Sequence, residues 1–428
     1  MADLCERSDF LLPLPSELLI DIFALATDNP ARRVEDVIDI PPFETIEYKK
    51  NLQLCDEALK TKLAITLACS SFRKLCMEIM YEDIRIRHGN KVLADTLEAS
   101  VASGGELGSC VKRAVLFPIN KEVEQNWDES CKNVKRILEC CPKILMLVRP
   151  SCDPSEGDQN YLAPFPSESS SVPSLQRIDW HSGSKEGSSD LSQIPPLFWT
   201  SPSLRTLSLG VSSWGTFIGN ENFRMGSISS QVRTLRVCSL DTLGSPGQQM
   251  YSLNLSLLNR IILDQPDSMY ALFGIAQYGE QVRSIELGLH PDFLEHDYLG
   301  LLLIYFSKAE KLFYPIFTTQ PANTNSPESN NNCSVRHVGL HSAMTDELYS
   351  DEDRLWIHIS KHFNALCGEW SQFAHLEQIT LFGAEWGKFV LDTRFTPILD
   401  LLRSKNISIS CDDSQIALLI KEVIKDNN

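Results

Sequence analysis

A short apolar pattern recurs along the chain and limits what the chain can fold into. In each copy three apolar residues follow the spacing Leu-x-x-Leu-x-Leu, with other apolar residues allowed. The middle residues of the copies are Ile178, Leu207, Leu235, Ile261, Ile285, Leu312, Val338 and Ile379. The first seven are separated by steps of 24 to 29 residues, and the last step is 41. A unit of that size cannot bury its apolar strand alone, so the pattern predicts a stack of units.

This pattern resembles leucine-rich repeats, in which a strand and a helix alternate. Strand-like segments at 111–117 and 144–148 extend the array upstream, and helical stretches at 133–141 and 268–279 lie between strands. The asparagine or cysteine of such repeats is absent three residues after the last leucine, where Ser212, Leu240 and His290 stand instead. The resemblance therefore implies an irregular solenoid.

Polar residues lie between the apolar positions of each strand. We expect them to face a concave surface; in two successive repeats they are Arg205, Thr206, Ser208, Arg233, Thr234 and Arg236. Such a surface can bind a partner, but a solvated face gives the same pattern. The sequence therefore assigns no site there.

The N-terminal region begins with a short amphipathic helix. Pro15 suits the first helical position, and Glu17 places a negative charge in the first turn. An apolar stripe follows at helical spacing, formed by Leu14, Leu18, Leu19, Ile22, Phe23 and Ala26. Asp28-Asn29-Pro30 ends the pattern.

A second helical pattern follows a polar insert at about 30–60 that contains Pro41-Pro42. Its apolar positions are Leu63, Leu67, Ala68, Phe72, Leu75, Ile79 and Met80. The alternating segment EDIRIR then predicts a short strand, with Ile84 and Ile86 on one face.

The segments LPSELLIDIFALA (14–26) and LACSSFRKLCMEIMYEDIRI (67–86) resemble the two halves of an F-box. Phe72 stands where the family more often has tryptophan, and the insert is longer than in an ordinary F-box of about 45 residues. The combination is most similar to the large F-box families of mushroom-forming fungi. The resemblance implies docking onto a Skp-family adaptor and, through it, onto a cullin–RING ubiquitin ligase.

Docking of this kind places apolar side chains of a helix into a hydrophobic groove. The expected partner-binding residues are Leu14, Pro15, Leu18, Ile22, Phe23, Leu67, Phe72 and Leu75. The alternative is that the same residues hold the helical module together, because amphipathic stripes are usually core.

The predicted fold class is α/β. Residues 1–88 form a three-helix F-box-like module, and residues 89–428 form an irregular leucine-rich-repeat-like solenoid that recognises a target protein. The expected function is substrate recognition in an SCF-type (Skp–cullin–F-box) ubiquitin ligase. The alternative is a stand-alone repeat scaffold for protein interactions, without a ligase role.

Composition limits the possible partners and the compartment. The formal net charge is −17 and no dense Lys/Arg stripe is present, so nucleic acid is not an expected partner. The run YLGLLLIYF is too short to span a bilayer, and no signal peptide is recognisable. Thirteen cysteines without CxxC pairs predict buried reduced thiols. We expect an intracellular protein, in the cytoplasm or the nucleus.

Catalytic motifs are lacking in the sequence, so we expect neither enzyme activity nor a cofactor. GAEWGK (383–388) is one residue short of a phosphate loop and has Phe389 in place of the magnesium-binding Ser/Thr, so a turn is expected there. His358 and His362 stand one helical turn apart, a spacing that could hold a metal ion, but surface or core roles are commoner. The same applies to His337 and His341 on a predicted strand.

Overall fold

The chain folds into two compact units. The computed structural model describes residues 14–27, 40–44, 48–87, 90–116, 119–120, 127–150, 160–161, 172–180, 201–209, 231–237, 255–265, 276–322, 333–343, 352–368, 371–413, 416–418 and 420. Unit 1 consists of Met1–Asp39 and Ile46–Gln176, and unit 2 of Ile40–Thr45 and Arg177–Asn428. The predicted boundary near residue 88 lies within unit 1.

Unit 1 starts with three helices that pack around a small core. Their bounds are Ser16–Ala26 (α1), Tyr48–Ala68 (α2) and Ser70–Tyr81 (α3). The core is formed by Leu19, Phe23 and Cys76, with Ile65, Phe72, Leu75 and Ile79 packed against it. The rings of Phe23 and Phe72 meet edge to face at 4.9 Å, which joins α1 to α3.

Local sequence signals set the ends of these helices. Pro15 is the N-cap residue of α1, one position before the predicted first helical position, and its missing N–H is not needed there. The Cys69 sulfur accepts a hydrogen bond from the Phe72 amide and so caps α3. Helix α2 begins at Tyr48, whereas the apolar pattern begins at Leu63, so the second half of the predicted insert is helical.

The remainder of unit 1 is α/β. Strands Asp83–Ile86 (β1), Arg113–Leu116 (β2) and Met146–Arg149 (β4) pair in parallel, and Ile119–Asn120 (β3) pairs antiparallel with Asn160–Tyr161 (β5). Its helices are Lys91–Ala102 (α4), Leu107–Cys110 (α5) and Trp127–Cys140 (α6). Gly108 is needed because a Cβ there would lie 1.8 Å from the Cys140 carbonyl oxygen.

The described part of unit 2 contains nine parallel strands in chain order. They are Arg177–Trp180 (β6), Thr206–Leu209 (β7), Thr234–Val237 (β8), Arg260–Leu263 (β9), Ser284–Leu287 (β10), Lys311–Pro315 (β11), His337–His341 (β12), Gln378–Phe382 (β13) and Ser408–Cys411 (β14). The central residues of all eight predicted copies are in register from strand to strand, and Ile409 of β14 extends their row. The eight central residues are buried, so the apolar spacing marks the inner row of the sheet.

Four α-helices connect the later strands of unit 2 in its described part. They are Tyr298–Tyr305 (α7), Glu352–Cys367 (α8), Trp386–Val390 (α9) and Thr396–Ser404 (α10). Three 3-10 turns accompany them, at Pro291–Leu294, Ile316–Thr318 and Thr393–Phe395. Aromatic side chains of this part of unit 2 lie in its core, since Trp386, Phe363 and Phe395 are each 0% exposed.

The predicted α/β class is confirmed as a mixed structure with twelve parallel strands among the described residues, three in unit 1 and nine in unit 2. Helix α6 covers all but the last residue of the predicted helical stretch 133–141, whereas most of the stretch 268–279 lies outside the described residues. None of the described helices is both long and apolar enough to cross a membrane. The structure describes ten cysteines, and five of them are buried.

Candidate partner-binding surfaces

The first helices of unit 1 carry many exposed apolar side chains. Fifteen large apolar residues are exposed in the described part of the chain, and seven of them belong to residues 14–67. These seven are Leu14, Leu18, Ile20, Ile22, Leu25, Leu63 and Leu67. Such a concentration of exposed apolar surface is typical of a face that contacts another molecule. We call these residues, together with Pro15, the apolar face.

The structure divides the eight predicted docking residues into two groups. Leu14, Pro15, Leu18, Ile22 and Leu67 are exposed on the apolar face. Phe23, Phe72 and Leu75 instead belong to the small core, where Phe23 is only 6% exposed. The core role is therefore confirmed for the second group, and docking by the first group stays a prediction.

Buried ion pairs line the polar side of the sheet in unit 2. Arg177, Arg236 and Glu286 are 3%, 4% and 2% exposed. Arg177 donates to Asp179 (Nε–Oδ1 2.9 Å) on its own strand. Arg236 makes two hydrogen bonds of 2.7 and 2.8 Å with the carboxylate of Asp264.

A third pair, Arg260 with Glu286, joins neighbouring strands β9 and β10. Burial raises the pKa of Glu286, and the nearby Arg260 guanidinium only partly offsets that rise. In each pair the arginine has a carboxylate partner on the sheet or directly after it, as buried charges require.

The segment Ile40–Glu44, here called the strap, lies on this polar face. Its Glu44 carboxylate accepts two hydrogen bonds from Arg177, both 3.1 Å long. Arg236 donates to the Glu44 carbonyl oxygen (2.8 Å), and Arg260 donates to the Ile40 carbonyl oxygen. The Phe43 amide donates to Glu286 (2.8 Å). Strands β6, β8, β9 and β10 thus all hold the strap.

The Phe43 ring enters an aromatic pocket formed by Phe313, His341 and Phe382. Its ring centre lies 6.3, 4.8 and 5.3 Å from theirs. Gly339 stands between Phe313 and Phe382, and a Cβ at this position would come within 2.2 and 2.9 Å of those rings. A glycine is therefore required at the base of the pocket.

The strap folds as a tight turn with an unusual backbone. The Glu44 amide donates to the Pro41 carbonyl oxygen (3.2 Å), and Phe43 has a φ of 61°. Proline at the second position and positive φ at the third are the features of a type II turn, in which glycine normally occupies the third position. Phenylalanine there is strained by about 1–3 kcal/mol, which the surrounding contacts must outweigh.

The expectation of a solvated or open concave surface is wrong for the first repeats. Thr206 and Ser208 are 0% exposed, and Thr234 and Arg236 are 6% and 4% exposed. For Arg236 the physical reason is the strap, whose Glu44 carbonyl oxygen it contacts. Arg233, by contrast, precedes its strand and is exposed.

The other end of the same polar face is more open. On β12 to β14, His337, Gln378, Thr380 and Ser410 are partly exposed and form a hydrogen-bonded cluster. The His337 Nε2 and Thr380 Oγ1 atoms are 2.8 Å apart. Burial, together with the nearby Lys311, lowers the pKa of His337, so the ring is neutral at pH 7.

The histidines that could hold a metal are tied to backbone atoms instead. His358 Nε2 lies 2.7 Å from the Ile316 carbonyl oxygen, and His362 Nε2 lies 3.0 Å from that of Thr319. Burial lowers the pKa of both rings. Among the described residues, no group of three or more His, Cys, Asp or Glu could hold a metal ion. The pair attaches α8 to the 3-10 turn Ile316–Thr318.

The segment 383–388 forms the turn expected after its strand. Gly383 has a φ of 94°, and α9 begins at Trp386, whose indole N–H donates to the Leu340 carbonyl oxygen (3.0 Å). Lys388 pairs with Glu385. These contacts anchor the turn to the sheet.

The sequence patterns missed the strap, although two signals pointed to it. Charged residues recur at strand positions that flank the apolar centre, as at Arg177, Asp179 and Glu286, and the insert carries the motif PPFE (41–44).

A comparison of the chain with protein-family models finds no match, and a comparison with curated proteins finds none either.

Proposed function

We propose that this chain is the substrate-recognition adaptor of an SCF-type ubiquitin ligase. In this proposal α1–α3 are an F-box-like module that docks on a Skp-family adaptor and, through it, on a cullin–RING ligase. The parallel strands of unit 2 belong to an irregular leucine-rich-repeat-like solenoid that binds the target protein. The chain itself needs no catalytic centre for this role.

The observation that carries the proposal is the apolar face. Leu18 and Ile22 are both 48% exposed and lie one helical turn apart, and Leu67 is 72% exposed. These positions match the F-box motif, and a groove on a partner would bury them as it buries any amphipathic helix. Leu19 and Phe23, which also match the motif, supply the internal core that fixes α1 in place.

The repeat domain adds support for a recognition role. Its units follow each other at a nearly constant step and their apolar rows are in register, as expected for a repeat array. Such arrays present long polar faces to partners, and unit 2 has one. The compartment expected for this role is the cytoplasm or the nucleus.

A pull-down with a Skp-family adaptor and a cullin tests the proposal. Wild type is compared with Leu18→Ala/Ile22→Ala, and the control is Leu391→Ala, which removes a leucine that is 59% exposed in unit 2. We expect wild type and the control to bind, and the double variant to bind at least about tenfold more weakly, since anchor residues dominate such interfaces.

Two outcomes would contradict this. Equal binding of the double variant and wild type would show that docking does not use the apolar face. If wild type binds neither adaptor nor cullin, the ligase role is lost, and a stand-alone scaffold becomes the better interpretation.

A further inference from the structure

The strap is held mainly through its main chain. Arg236 and Arg260 bind carbonyl oxygens of Glu44 and Ile40, and Glu286 accepts from the Phe43 amide. Main-chain contacts of this kind hold any segment with the same turn. They therefore describe a site for a peptide in general, and not only for this segment.

Two side-chain positions add selectivity to this site. The aromatic pocket of Phe313, His341 and Phe382 takes a ring, and Arg177 takes the carboxylate of the next residue. Arg177 is 3% exposed and its guanidinium forms a paired contact with Glu44, a geometry suited to carboxylates. The site thus fits an aromatic residue followed by an acidic one.

Release of the strap would leave the charges of the site paired. Arg177 keeps Asp179 (2.9 Å), Arg236 keeps Asp264 (2.7 Å), and Arg260 keeps Glu286. If removal of a segment leaves buried charges without partners, the segment stays bound, because an unpaired buried charge costs about 3–5 kcal/mol. Release of the strap does not incur this cost, and the strained φ of Phe43 further weakens the binding of the strap to the sheet.

We propose that the polar face of unit 2 is a binding site for peptides with a Pro-aromatic-acidic turn, and that the strap fills it as a self-ligand. The target recognised by unit 2 carries such a turn and displaces the strap. This inference names the ligand class of the recognition domain and in that respect rests on the proposed function.

A peptide supplied in trans tests the inference on the full chain. The probe is fluorescein-labelled DIPPFETI, the sequence of residues 39–46. It is titrated into wild type and into Phe43→Ala/Glu44→Ala, with fluorescence anisotropy as the readout. If the strap fills the site for about nine-tenths of the time, the variant binds about tenfold more tightly than wild type.

Matched controls locate the binding. A probe with alanine in place of its phenylalanine should lose binding to the strap variant. Adding Arg177→Lys to that variant should also weaken binding, because lysine cannot reproduce the paired contact with a carboxylate. Equal binding to wild type and the folded strap variant, or no binding to either, would overturn the inference.

Hydrogen exchange on wild type decides the question even if the strap variant fails to fold. Excess probe should speed exchange of the Phe43 and Glu44 amides, which are hydrogen-bonded in the closed strap. Unchanged exchange under excess probe would overturn the inference. Neither experiment contains a Skp-family adaptor, so their failure leaves the pull-down result standing, and the reverse also holds.

Discussion

The helices that open unit 1 and the sheet of unit 2 place their side chains in opposite ways. Helix α1 leaves Leu18 and Ile22 half exposed, both at 48%, although leucine and isoleucine are usually inside. The sheet buries Arg177 and Arg236 at 3% and 4% exposure, although arginine is usually outside. Each region therefore shows the opposite of the burial that is usual for its residue types.

The two surfaces differ in whether the chain itself supplies partners for their side chains. Each buried arginine has a carboxylate and a strap oxygen as partners, so the polar face is satisfied by the chain itself. An exposed leucine gains nothing until another molecule covers it. The comparison teaches that the exposed leucines and isoleucines of the apolar face are what the proposed docking would bury, whereas the polar face already holds a segment of its own.

The largest expected effect comes from removing a buried arginine. Arg177→Ala leaves Asp179 buried without its cation, so we expect unit 2 to lose about 3–5 kcal/mol of unfolding free energy. Tryptophan fluorescence during urea unfolding measures this, because six of the seven tryptophans belong to unit 2. Arg233→Ala, at an exposed position, is the control and should change stability by less than about 0.5 kcal/mol. Equal losses would mean that burial of the arginines does not matter.

A neighbouring pair of leucines makes the same comparison within α1. Leu19 is 8% exposed in the small core, whereas Leu18 is 48% exposed. Leu19→Ala should cost about 2–4 kcal/mol, and Leu18→Ala less than about 0.5 kcal/mol. The helical circular dichroism signal during unfolding, combined with hydrogen exchange of the α1 amides, measures the loss of stability in each variant. A large cost for Leu18→Ala would mean that the apolar face is part of the core.

The strands of unit 2 were predictable because their signal is local. A strand with one apolar face shows period-two alternation, and the recurring apolar spacing also gave the register, as the row from Ile178 to Ile379 shows. Strand β14 was missed, although Ile407, Ile409 and Cys411 alternate there, because it lies beyond the last recognised copy.

The burial of the polar face was not predictable in the same way. Whether Thr206 or Arg236 meets water depends on what covers the sheet. Arg236 is contacted by Glu44, which is 192 positions away in sequence, and no local pattern encodes such a contact. The early start of α2 was missed for a different reason, since its first turns are polar and lack an apolar stripe.

Acid should weaken unit 2 through one buried histidine, His362, and two half-buried ones, His341 and His358. Burial lowers the pKa of His341 to about 4, and also lowers the pKa of His358 and His362. The unfolded chain then binds protons before the folded chain, so stability is full above about pH 6.5 and falls as the pH drops toward 4. Between these two pH values His341 contributes a slope of about 1.4 kcal/mol per pH unit.

The variant His341→Phe isolates one of these contributions. It keeps an aromatic ring beside Phe43 but removes the titrating group. Urea unfolding at a series of pH values between 7 and 4 should show a slope smaller by about one proton. An unchanged slope would show that His341 is already accessible to protons in the folded chain.

The smallest expected effect tests whether the strap can leave the sheet or is permanently bound to it. Glu44→Gln keeps the shape of the side chain but removes its charge, and Arg177 keeps Asp179, so the cost should be about 1 kcal/mol. Asp179→Asn removes the sheet's own partner of the same arginine and should cost more, because the Asp179 side chain is 9% exposed while the Glu44 side chain is 28% exposed. Urea unfolding followed by tryptophan fluorescence compares the two. If Glu44→Gln costs as much as Asp179→Asn, the strap is a fixed member of the buried charge network, and the polar face is then closed to partners.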